Sequence, residues 1–398
     1  MWLLLTDPLS FVNRNLLLLC VSLFTWGVGE GMFLYFQPIY LQEWGADPIL
    51  IGSIFGAVGI SMGIAQVPAG YLADRFGPRP LLWTAWVIGA IATFLMAFST
   101  SLPIFVTGML LYGVTAFVMT PLSTYISFCS GKWSLGRALT LVSFAYNSGA
   151  ALGPVTGGLI AERFGLVVIY RIAAVIFLIS VLLIFRIKDY HPAPGEKAAH
   201  NAYGLSRNRA FIFFLALIFL IMFAAQFPQP LTPNFLRNER GMSLTDIGAI
   251  GAAGSLGNAL ISLFVGGIAP RAGLAIGSFF IVIFSLFIWQ GTGISWYLAG
   301  YFFIGGYRLA RAMATAYTRP LVLASQTGVA FGWIETANAL AVVAAPVFAG
   351  LIYNWQPDFV YPISIFVSLL VIFLIINPKM NDQPKKEDMK NRTANNEY

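Results

Sequence analysis

Runs of about 20 apolar residues recur along the whole of this chain, and they constrain its fold more than any other feature. Each run is long enough to cross the roughly 30 Å hydrocarbon core of a bilayer as a helix, which lipid requires because it offers no water to unpaired backbone groups. The chain is 58% hydrophobic and 10% charged, whereas soluble domains are about 45–50% apolar and about 25% charged. We therefore predict an all-α membrane protein with twelve transmembrane helices, at about 13–40, 49–73, 80–99, 103–129, 137–160, 166–187, 210–236, 244–268, 273–291, 295–318, 327–353 and 358–377.

The basic residues are distributed unevenly about these spans. Apart from Arg308 and Arg311, seventeen of the 23 Lys and Arg residues fall in loops or span ends on the side of the two chain termini and four on the other side. Cytoplasmic loops carry such an excess, so we expect a multi-pass protein of the plasma membrane with both termini in the cytoplasm. The formal charge of +7 is then a topology signal, and we expect no nucleic-acid partner. The polar tail, 379–398, is expected to be disordered.

One long polar segment, residues 188–209 (KDYHPAPGEKAAHNAYGLSRNR), separates the first six spans from the last six. We interpret it as a cytoplasmic linker between an N-terminal bundle, 1–187, and a C-terminal bundle, 210–378. The two parts align with each other at nearly constant offsets. An offset of 196 places Gly52 on Gly248, Arg75 on Arg271 and Gly77 on Gly273, and an offset of 192 places Pro154 on Pro346 and Gly158 on Gly350. We expect two pseudo-symmetric six-helix bundles with a site between them.

The short loop after the second span holds three charges between two apolar runs, in the sequence GYLADRFGPRP at 70–80. This loop resembles the G-x-L-A-D-R-x-G-R-[RK] signature of the major facilitator superfamily, although Pro78 and Pro80 depart from it. The resemblance implies that family's fold and a conformational latch. Asp74 would face the positive N-terminus of span eleven, and Arg75 and Arg79 would fix the loop by hydrogen bonds. The glycines would allow close helix packing and a tight turn; they are Gly70 and Gly77. Charges that only set topology are the alternative.

Span five carries a second motif, GAALGPVTGG at 149–158. It resembles the G-x-x-x-G-P-x-x-G-G signature of antiporters in the same family, with Gly153, Pro154, Gly157 and Gly158 in the matching positions. Small residues let two helices meet closely, and a proline inside a helix removes one backbone hydrogen bond and favours a hinge. The resemblance implies export in exchange for protons, while a plain packing face is the alternative. The arginine motif that the family carries in span four is absent.

Four ionisable residues fall well inside predicted spans: Glu30, Arg308, Arg311 and Glu335. A charge there costs several kcal/mol unless it is paired or hydrated, so these residues are candidates for a site. From their depths along the helices, at 1.5 Å per residue, we expect Glu30 near Arg308 and Glu335 near Arg311. The two pairs could instead serve only to hold helices together.

Aromatic and polar residues surround these charges, most of them in spans one, four, seven and ten, which line the cavity in the resembled family, and one, Asn147, in span five. An aromatic pocket with a few polar groups suits an amphipathic organic molecule, and the arginines favour an anionic group on it. No span contains a histidine, so Glu30 is the expected proton site. Pro228, Pro230 and Pro233 should distort the outer end of span seven. The further candidate site residues are Trp26, Phe33, Gln37, Tyr112, Asn147, Gln226 and Tyr307.

The sequence therefore predicts a monomeric, proton-coupled secondary transporter that exports a small amphipathic or anionic molecule. Proton-coupled uptake of a sugar or an organic acid, or a receptor built on a transporter scaffold, are the alternatives. A membrane enzyme is disfavoured, because the chain lacks H-E-x-x-H, G-x-S-x-G and G-x-x-x-x-G-K-[ST]. We expect no cofactor and no bound metal.

Overall fold

A computed structural model describes residues 13–131, 133–189, 208–265, 268–318, 322 and 327–377. The side chains of residues 67–71, 74, 262–263 and 327–328 also fall outside the description. Most of the expected linker, 190–207, and the whole of the expected tail, 379–398, lie outside the described residues. We call residues 13–189 the first half of the structure and residues 208–377 the second half.

The described chain is helical nearly throughout, as the apolar runs predict. Pro48, Pro78 and Pro270 each stand at the first position of a helix, where the missing N–H is not needed. The helices are α1 (Arg14–Leu34), α2 (Gln37–Glu43), α3 (Pro48–Phe76), α4 (Pro78–Ala97), α5 (Leu102–Val114), α6 (Met119–Cys129), α7 (Leu135–Phe164), α8 (Leu166–Ile184), α9 (Arg209–Gln226), α10 (Thr232–Asn238), α11 (Leu244–Val265), α12 (Pro270–Gln290), α13 (Ile294–Phe303), α14 (Gly306–Thr318), α15 (Thr327–Trp355) and α16 (Val360–Ile376).

Ten helical segments of the described chain are long and apolar enough to cross a membrane. The helix α7 has 30 residues but is not among them, because its many small and polar residues lower the mean hydropathy even of the uncharged stretch 138–161. The pair α13–α14 is also not among them, because it is divided into pieces of 10 and 13 residues. The protein is thus an all-α membrane protein, and a count of twelve crossings stays a prediction.

Four of the predicted spans are interrupted near their middle or outer part. The first breaks at Tyr35 and Phe36, between α1 and α2, where a single helix was expected. The fourth passes through a 3₁₀ turn at Thr115–Val118, and the tenth breaks at Ile304 and Gly305. The distortion expected from the prolines of span seven is present, because α9 ends at Gln226 and α10 begins only at Thr232. These spans are the first, fourth, seventh and tenth, and each brings backbone irregularity to the interior of the molecule.

Hydrogen bonds between helix ends define two opposite faces. On the terminal face, which holds both ends of the described chain, the Lys188 N–H donates to Asn15 Oδ1 at 3.1 Å. In the second half, Arg271 Nε donates to the Ile375 carbonyl at 3.0 Å on the same face. The opposite face, called the far face, holds the helix ends near residues 38–52, 158–165, 232–248, 289–297 and 346–358.

Equivalent groups of buried serines join three helices in each half. In the first half, Ser22 Oγ and Ser180 Oγ lie 3.0 Å apart. The Trp86 indole N–H donates to both hydroxyls, at 2.8 and 2.9 Å. In the second half, Ser285 Oγ and Ser364 Oγ also lie 3.0 Å apart, and Ser364 Oγ lies 2.7 Å from the Ala224 carbonyl of α9, to which it donates. Buried polar groups must be paired within a bilayer, so these serines fix how α1, α4 and α8, and likewise α9, α12 and α16, pack.

Replacing Ser180 by alanine is expected to destabilise the protein by about 1–3 kcal/mol, because buried partners lose a hydrogen bond that lipid cannot replace. Thermal unfolding in detergent measures the effect. Ser53→Ala is the control, since Ser53 is exposed and bonds only to the Ile49 carbonyl of its own helix. Equal unfolding temperatures for the two variants would contradict the structural role of Ser180.

The glycines and prolines that align in the sequence form the contact between the halves. At one seam, α3 packs on α15, and a Cβ on Gly350 would lie 2.5 Å from the Pro48 carbonyl oxygen. At the other seam, α7 packs on α11, and a Cβ on Gly158 would lie 2.6 Å from the Leu244 carbonyl oxygen. Both seams are so close that any side chain at these positions would push the helices apart. Both seams lie on the far face. That face is therefore closed at two places by contacts that are equivalent by sequence.

The antiporter-like motif divides its residues between two neighbours of α7. Gly149, Gly153 and Gly157 meet the backbone of α1, where a Cβ on Gly153 would lie 2.5 Å from the Val28 carbonyl oxygen. Pro154 lies inside α7, which continues unbroken to Phe164. The motif therefore acts as a packing face in the structure, and the hinge expected at Pro154 stays a prediction.

Candidate functional site

A cavity of about 600 Å³ lies between the halves and is lined mostly by apolar and aromatic side chains. It begins near the middle of α1 and extends along α6 and α7 toward the terminal face, as far as Ile126 and Leu139. Among the described residues, the first half supplies nearly all of its wall. The second half contributes Gln226, Pro230, Arg308, Val342 and Pro346.

Glu30 is the single acidic residue in this wall among the described residues. The Tyr146 hydroxyl of α7 donates to Glu30 Oε2 at 2.9 Å. Tyr112 and Trp26 stand beside the same carboxylate. An acidic group in the membrane interior needs such donors when it is ionised, and these three side chains can supply them to Glu30.

Arg308 of α14 is the single basic residue of the cavity wall in the described chain. Its Nε donates to the Tyr307 hydroxyl at 3.2 Å. Glu30 lies within its electrostatic range, but no carboxylate of the described residues approaches the Arg308 guanidinium within the 4.0 Å of an ion pair. The expected neighbours Glu30 and Arg308 thus share one cavity and come from different halves, with their charges held apart.

Arg311 and Glu335 form an ion pair with an N–O distance of 2.5 Å. Asn338 Nδ2 also donates to Glu335, at 3.5 Å. Both charged side chains are about half exposed, at 47% and 45%, and neither lines the cavity. The pair joins α14 to α15 on the terminal side of Arg308, so its place is beside the cavity rather than in it.

The structure gathers five of the other candidate residues in the cavity wall and leaves two outside. Phe33 is fully buried and stacks on Tyr170 with ring centroids 5.5 Å apart. It is three residues from Glu30, a spacing that turns it toward α8, while Leu34, four residues on, lines the cavity instead. Tyr307 does not line the cavity but holds Arg308. The five in the wall are Trp26, Gln37, Tyr112, Asn147 and Gln226.

Tyr146 is the site residue that sequence reasoning missed, because the choice fell on its neighbour Asn147. A signal was available in the glycine motif that follows. Gly149 and Gly153 lie three and seven residues after Tyr146, and residues at such spacings share a helix face. Since these glycines meet α1, the same face carries Tyr146 to α1 and to Glu30.

The expected latch loop is only partly described. Gly77 has a φ of 79°, which favours glycine, and this makes the tight turn between α3 and α4. Arg75 is exposed and lies 5.2 Å from the Phe76 ring centroid. Arg79 lies 3.8 Å from Asp189 and 4.0 Å from the Trp83 ring centroid, so it binds within its own half. Gly70 and Asp74 lie among the residues whose side chains are not described.

The far face is closed by the short helices α2 and α10. Asn234 Nδ2 donates to the Pro38 carbonyl at 3.1 Å and to Gln42 Oε1 at 2.7 Å. Asn238 Nδ2 donates to the same Gln42 oxygen at 3.1 Å. Pro38 and Asn234, like Gln42 and Asn238, are 196 residues apart, so matching positions of the two halves meet each other. That geometry is a local two-fold axis.

One further bond crosses the far face beside this axis. The Leu244 N–H, at the start of α11, donates to Glu162 Oε2 at 2.6 Å. A carboxylate is favoured at a helix N-terminus because of the unpaired N–H groups there. In the described part of the chain, the hydrogen bonds that we identify between the halves lie at the far face or near the middle, as Ser255 to the Ala150 carbonyl does at 3.0 Å.

The family to which the sequence motifs point has a model that matches residues 19–318, described as the Major Facilitator Superfamily. The chain belongs to the Major Facilitator Superfamily. It is therefore a transporter of that superfamily and a multi-pass membrane protein. Membership also accounts for the two faces and the central cavity, because superfamily sites lie between the two halves near the membrane midplane.

Relatives within the superfamily match nearly the full length of the chain. Multidrug resistance protein 2 of Bacillus subtilis is 23% identical, over 92% of this chain and 96% of that protein. Quinolone resistance protein NorA of Staphylococcus aureus is 21% identical, over 94% of this chain and 99% of that protein. The crystal structure of the nucleoside transporter NupG has a TM-score of 0.79 at 14% identity, covering 93% of this chain and 99% of that chain. This last likeness supports the fold.

Proposed function

We propose that this superfamily member is a proton-coupled secondary transporter that exports a small amphipathic or anionic organic molecule. The observation that carries the proposal is one cavity in which Glu30 of the first half faces Arg308 of the second. Two opposite charges that do not pair in a membrane interior cost free energy, so their presence there indicates a functional role. A cargo that bridges the halves is held by both and can be exposed to either face as the halves rock.

Arg308 is the proposed cargo anchor and Glu30 the proposed proton carrier. An arginine fork binds a carboxylate, sulfate or phosphate through two parallel bonds, and Arg308 has no competing carboxylate within ion-pair distance among the described residues. Trp26 and Tyr112, with ring centroids 6.0 Å apart, offer an apolar surface for the body of the cargo. On the terminal side, Arg311 would attract the cargo anion, and its ion pair with Glu335 would hold α14 against α15.

The direction and the orientation are proposed on separate grounds. Export is supported by the full-length relatives, whose names connect them with multidrug and quinolone resistance, and by the antiporter-like motif. The excess of Lys and Arg supports a cytoplasmic terminal face and residence in the plasma membrane. On that assignment the present conformation opens toward the cytoplasm, ready to take up cargo for export.

The alternating movement would be made by two bundles, 1–187 and 210–378, joined by the linker 188–209, in a monomer. Closing the terminal face would bring the loop with Asp74 to the N-terminus of α15, where Arg75 and Arg79 could hold it. In the present conformation Arg79 binds Asp189 instead. The latch would therefore form only in the outward-facing state.

A second candidate is proton-coupled uptake of a hydroxylated molecule such as a sugar or an organic acid. The observation that favours it is the set of amides in the cavity wall, which can bind hydroxyl groups. They are Gln37, Asn147 and Gln226.

Flux in proteoliposomes tests the proposal. A pH gradient, acid on the side of the far face, should drive an amphipathic dye or 2-naphthoate out of the compartment that faces the terminal side, and a protonophore should abolish the movement. Uptake driven in the opposite direction would favour the second candidate. No gradient-dependent flux of anions, cations or sugars would overturn the transport proposal and favour a receptor.

A further inference from the structure

An open groove of about 560 Å³ lies on the surface of the first half, between α4, α5 and α8. It is separate from the central cavity, since the two share no lining residue. Ala90 and Val181 are buried and form its floor, while Ile91, Phe94 and Leu178 are exposed and form its sides. Each described residue that lines the groove is apolar, so the groove suits an apolar occupant.

The groove has the length of one leaflet of a bilayer. It follows α4 from Val87 to Phe98, which at about 1.5 Å per residue is about 16 Å. Half of the hydrocarbon core is about 15 Å. Phe98 directly follows the last residue of α4 at the far face, so the groove runs from that boundary to about the middle of the membrane. A lipid acyl chain fits this length, whereas a transmembrane helix of a second copy would need a contact along both leaflets.

A positive charge stands at the far-face end of the groove. The Arg171 guanidinium of α8 lies 5.9 Å from the centre of the Phe98 ring, and Phe98 lines the groove. Arg171 is exposed, and no carboxylate of the described residues approaches it within the 4.0 Å of an ion pair. Long basic side chains near a helix end extend toward the membrane interface, which is the level of the lipid phosphates.

The N-terminus of α5 lies at the same end. Leu102 is the first residue of α5, and Ile104 in its first turn lines the groove. The N-cap residue is Ser101, but its side chain makes no capping hydrogen bond. The N–H groups of Leu102 and Ile104 therefore have no partner within the helix. A helix N-terminus favours a phosphate, so α5 and Arg171 attract an anion to the same place.

We propose that the groove binds an acyl chain of an anionic phospholipid from the far-face leaflet, with the lipid phosphate between Arg171 and the N-terminus of α5. The apolar wall holds the chain, and the charge of Arg171 fixes the depth of the headgroup. An anionic lipid is favoured over a zwitterionic one, because Arg171 repels a cationic headgroup. The site lies outside the central cavity, so the inference does not depend on the cargo or on the direction of transport.

Native mass spectrometry of the detergent-solubilised protein tests the headgroup contact. The probe is phosphatidylglycerol, and phosphatidylcholine with the same acyl chains is the comparison. The wild type should bind one phosphatidylglycerol more tightly than phosphatidylcholine, and Arg171→Gln should weaken that binding about tenfold, the lower end of the effect of one hydrogen bond to a charged group. Arg163→Gln is the matched control. Arg163 is also an exposed arginine of the far face beside a phenylalanine ring, that of Phe164, but this ring does not line the groove.

A second pair of variants tests the apolar part of the site. Leu178 and Ile179 are neighbours on α8 and are similarly exposed, at 45% and 47%, but only Leu178 of the two lines the groove. Leu178→Trp should fill the groove and abolish the preference for phosphatidylglycerol, while Ile179→Trp should leave it unchanged.

Three results would overturn the inference. The first is equal phosphatidylglycerol binding by the wild type, Arg171→Gln and Leu178→Trp. The second is an equal loss in the two arginine variants, which would indicate an effect of surface charge alone. The third is a wild-type dimer that Leu178→Trp dissociates, because a second copy of the chain would then occupy the groove instead of a lipid.

Discussion

Replacing Arg308 by glutamine is expected to weaken the binding of an aromatic carboxylate by about 10- to 100-fold. The reason is the loss of the single cationic donor in the cavity wall of the described chain, since a hydrogen bond to a charged group contributes about 1.5–3 kcal/mol. Trp26 and Trp86 line the same cavity, so quenching of tryptophan fluorescence by 2-naphthoate measures the affinity directly. The neutral 2-naphthamide should bind both proteins alike.

Arg311→Gln provides the matched control for this measurement. Arg311 lies one turn from Arg308 on the same helix, but it pairs with Glu335 and stays outside the cavity wall. Its replacement should change the affinity for 2-naphthoate by less than about threefold, as expected for a half-exposed charge. If 2-naphthoate bound to the wild type and to Arg308→Gln with equal affinity, Arg308 would not be the anion site.

Replacing Glu30 by glutamine should abolish movement driven by a pH gradient while leaving exchange of cargo for cargo intact. Glutamine keeps the size of the side chain and an oxygen that can accept from Tyr146, but its amide cannot bind and release a proton as a carboxylate does. Proteoliposomes loaded with cargo separate the two activities, because exchange needs only the alternating movement. Driven transport should fall to the level of liposomes without protein.

Glu335→Gln is the comparison, because it removes a carboxylate from the other charged pair, outside the cavity wall. That variant should keep gradient-driven transport even if its rate falls. Driven transport that persists in Glu30→Gln would remove Glu30 from the proton path. Loss of both driven transport and exchange would indicate that Glu30 is needed for the movement itself.

The helices could be predicted from the sequence where the whole length of a helix lies in an apolar environment. The runs of hydrophobic residues gave the main helices, and the prolines of span seven gave the break before Thr232. Pro38 stands in the first turn of α2, has no N–H with which to continue α1, and its ring would clash with the Leu34 carbonyl of an unbroken helix. This local signal, which a count of apolar residues does not register, marks the break at Tyr35 and Phe36. The break is also stabilised by tertiary contacts, among them the insertion of the Tyr35 ring beside Gly251.

The site was predictable in its charges and less so in its surroundings. The cost of charge in lipid singles out Glu30, Arg308, Arg311 and Glu335 alike; the first two line the cavity, while the other two pair with each other outside its wall. Aromatic residues carry no such penalty, because they pack equally well in a core or around a cargo. Phe33 and Trp26 were therefore indistinguishable by type, and only their positions around α1 separate them: Trp26 lines the cavity and Phe33 packs on Tyr170.

The local two-fold axis at Gln42 and Asn238 separates two kinds of position. A contact on the axis occurs once in the molecule, whereas a contact away from it occurs twice. A seam away from the axis exists in two copies, Gly52 against Pro346 and Gly248 against Pro154. If the halves move as proposed, damage to one copy should leave its twin intact and should slow the movement without stopping it. On the axis there is one Gln42 oxygen for both asparagines, so tolerance to mutation should be lowest at the point where the molecule meets its own duplicate.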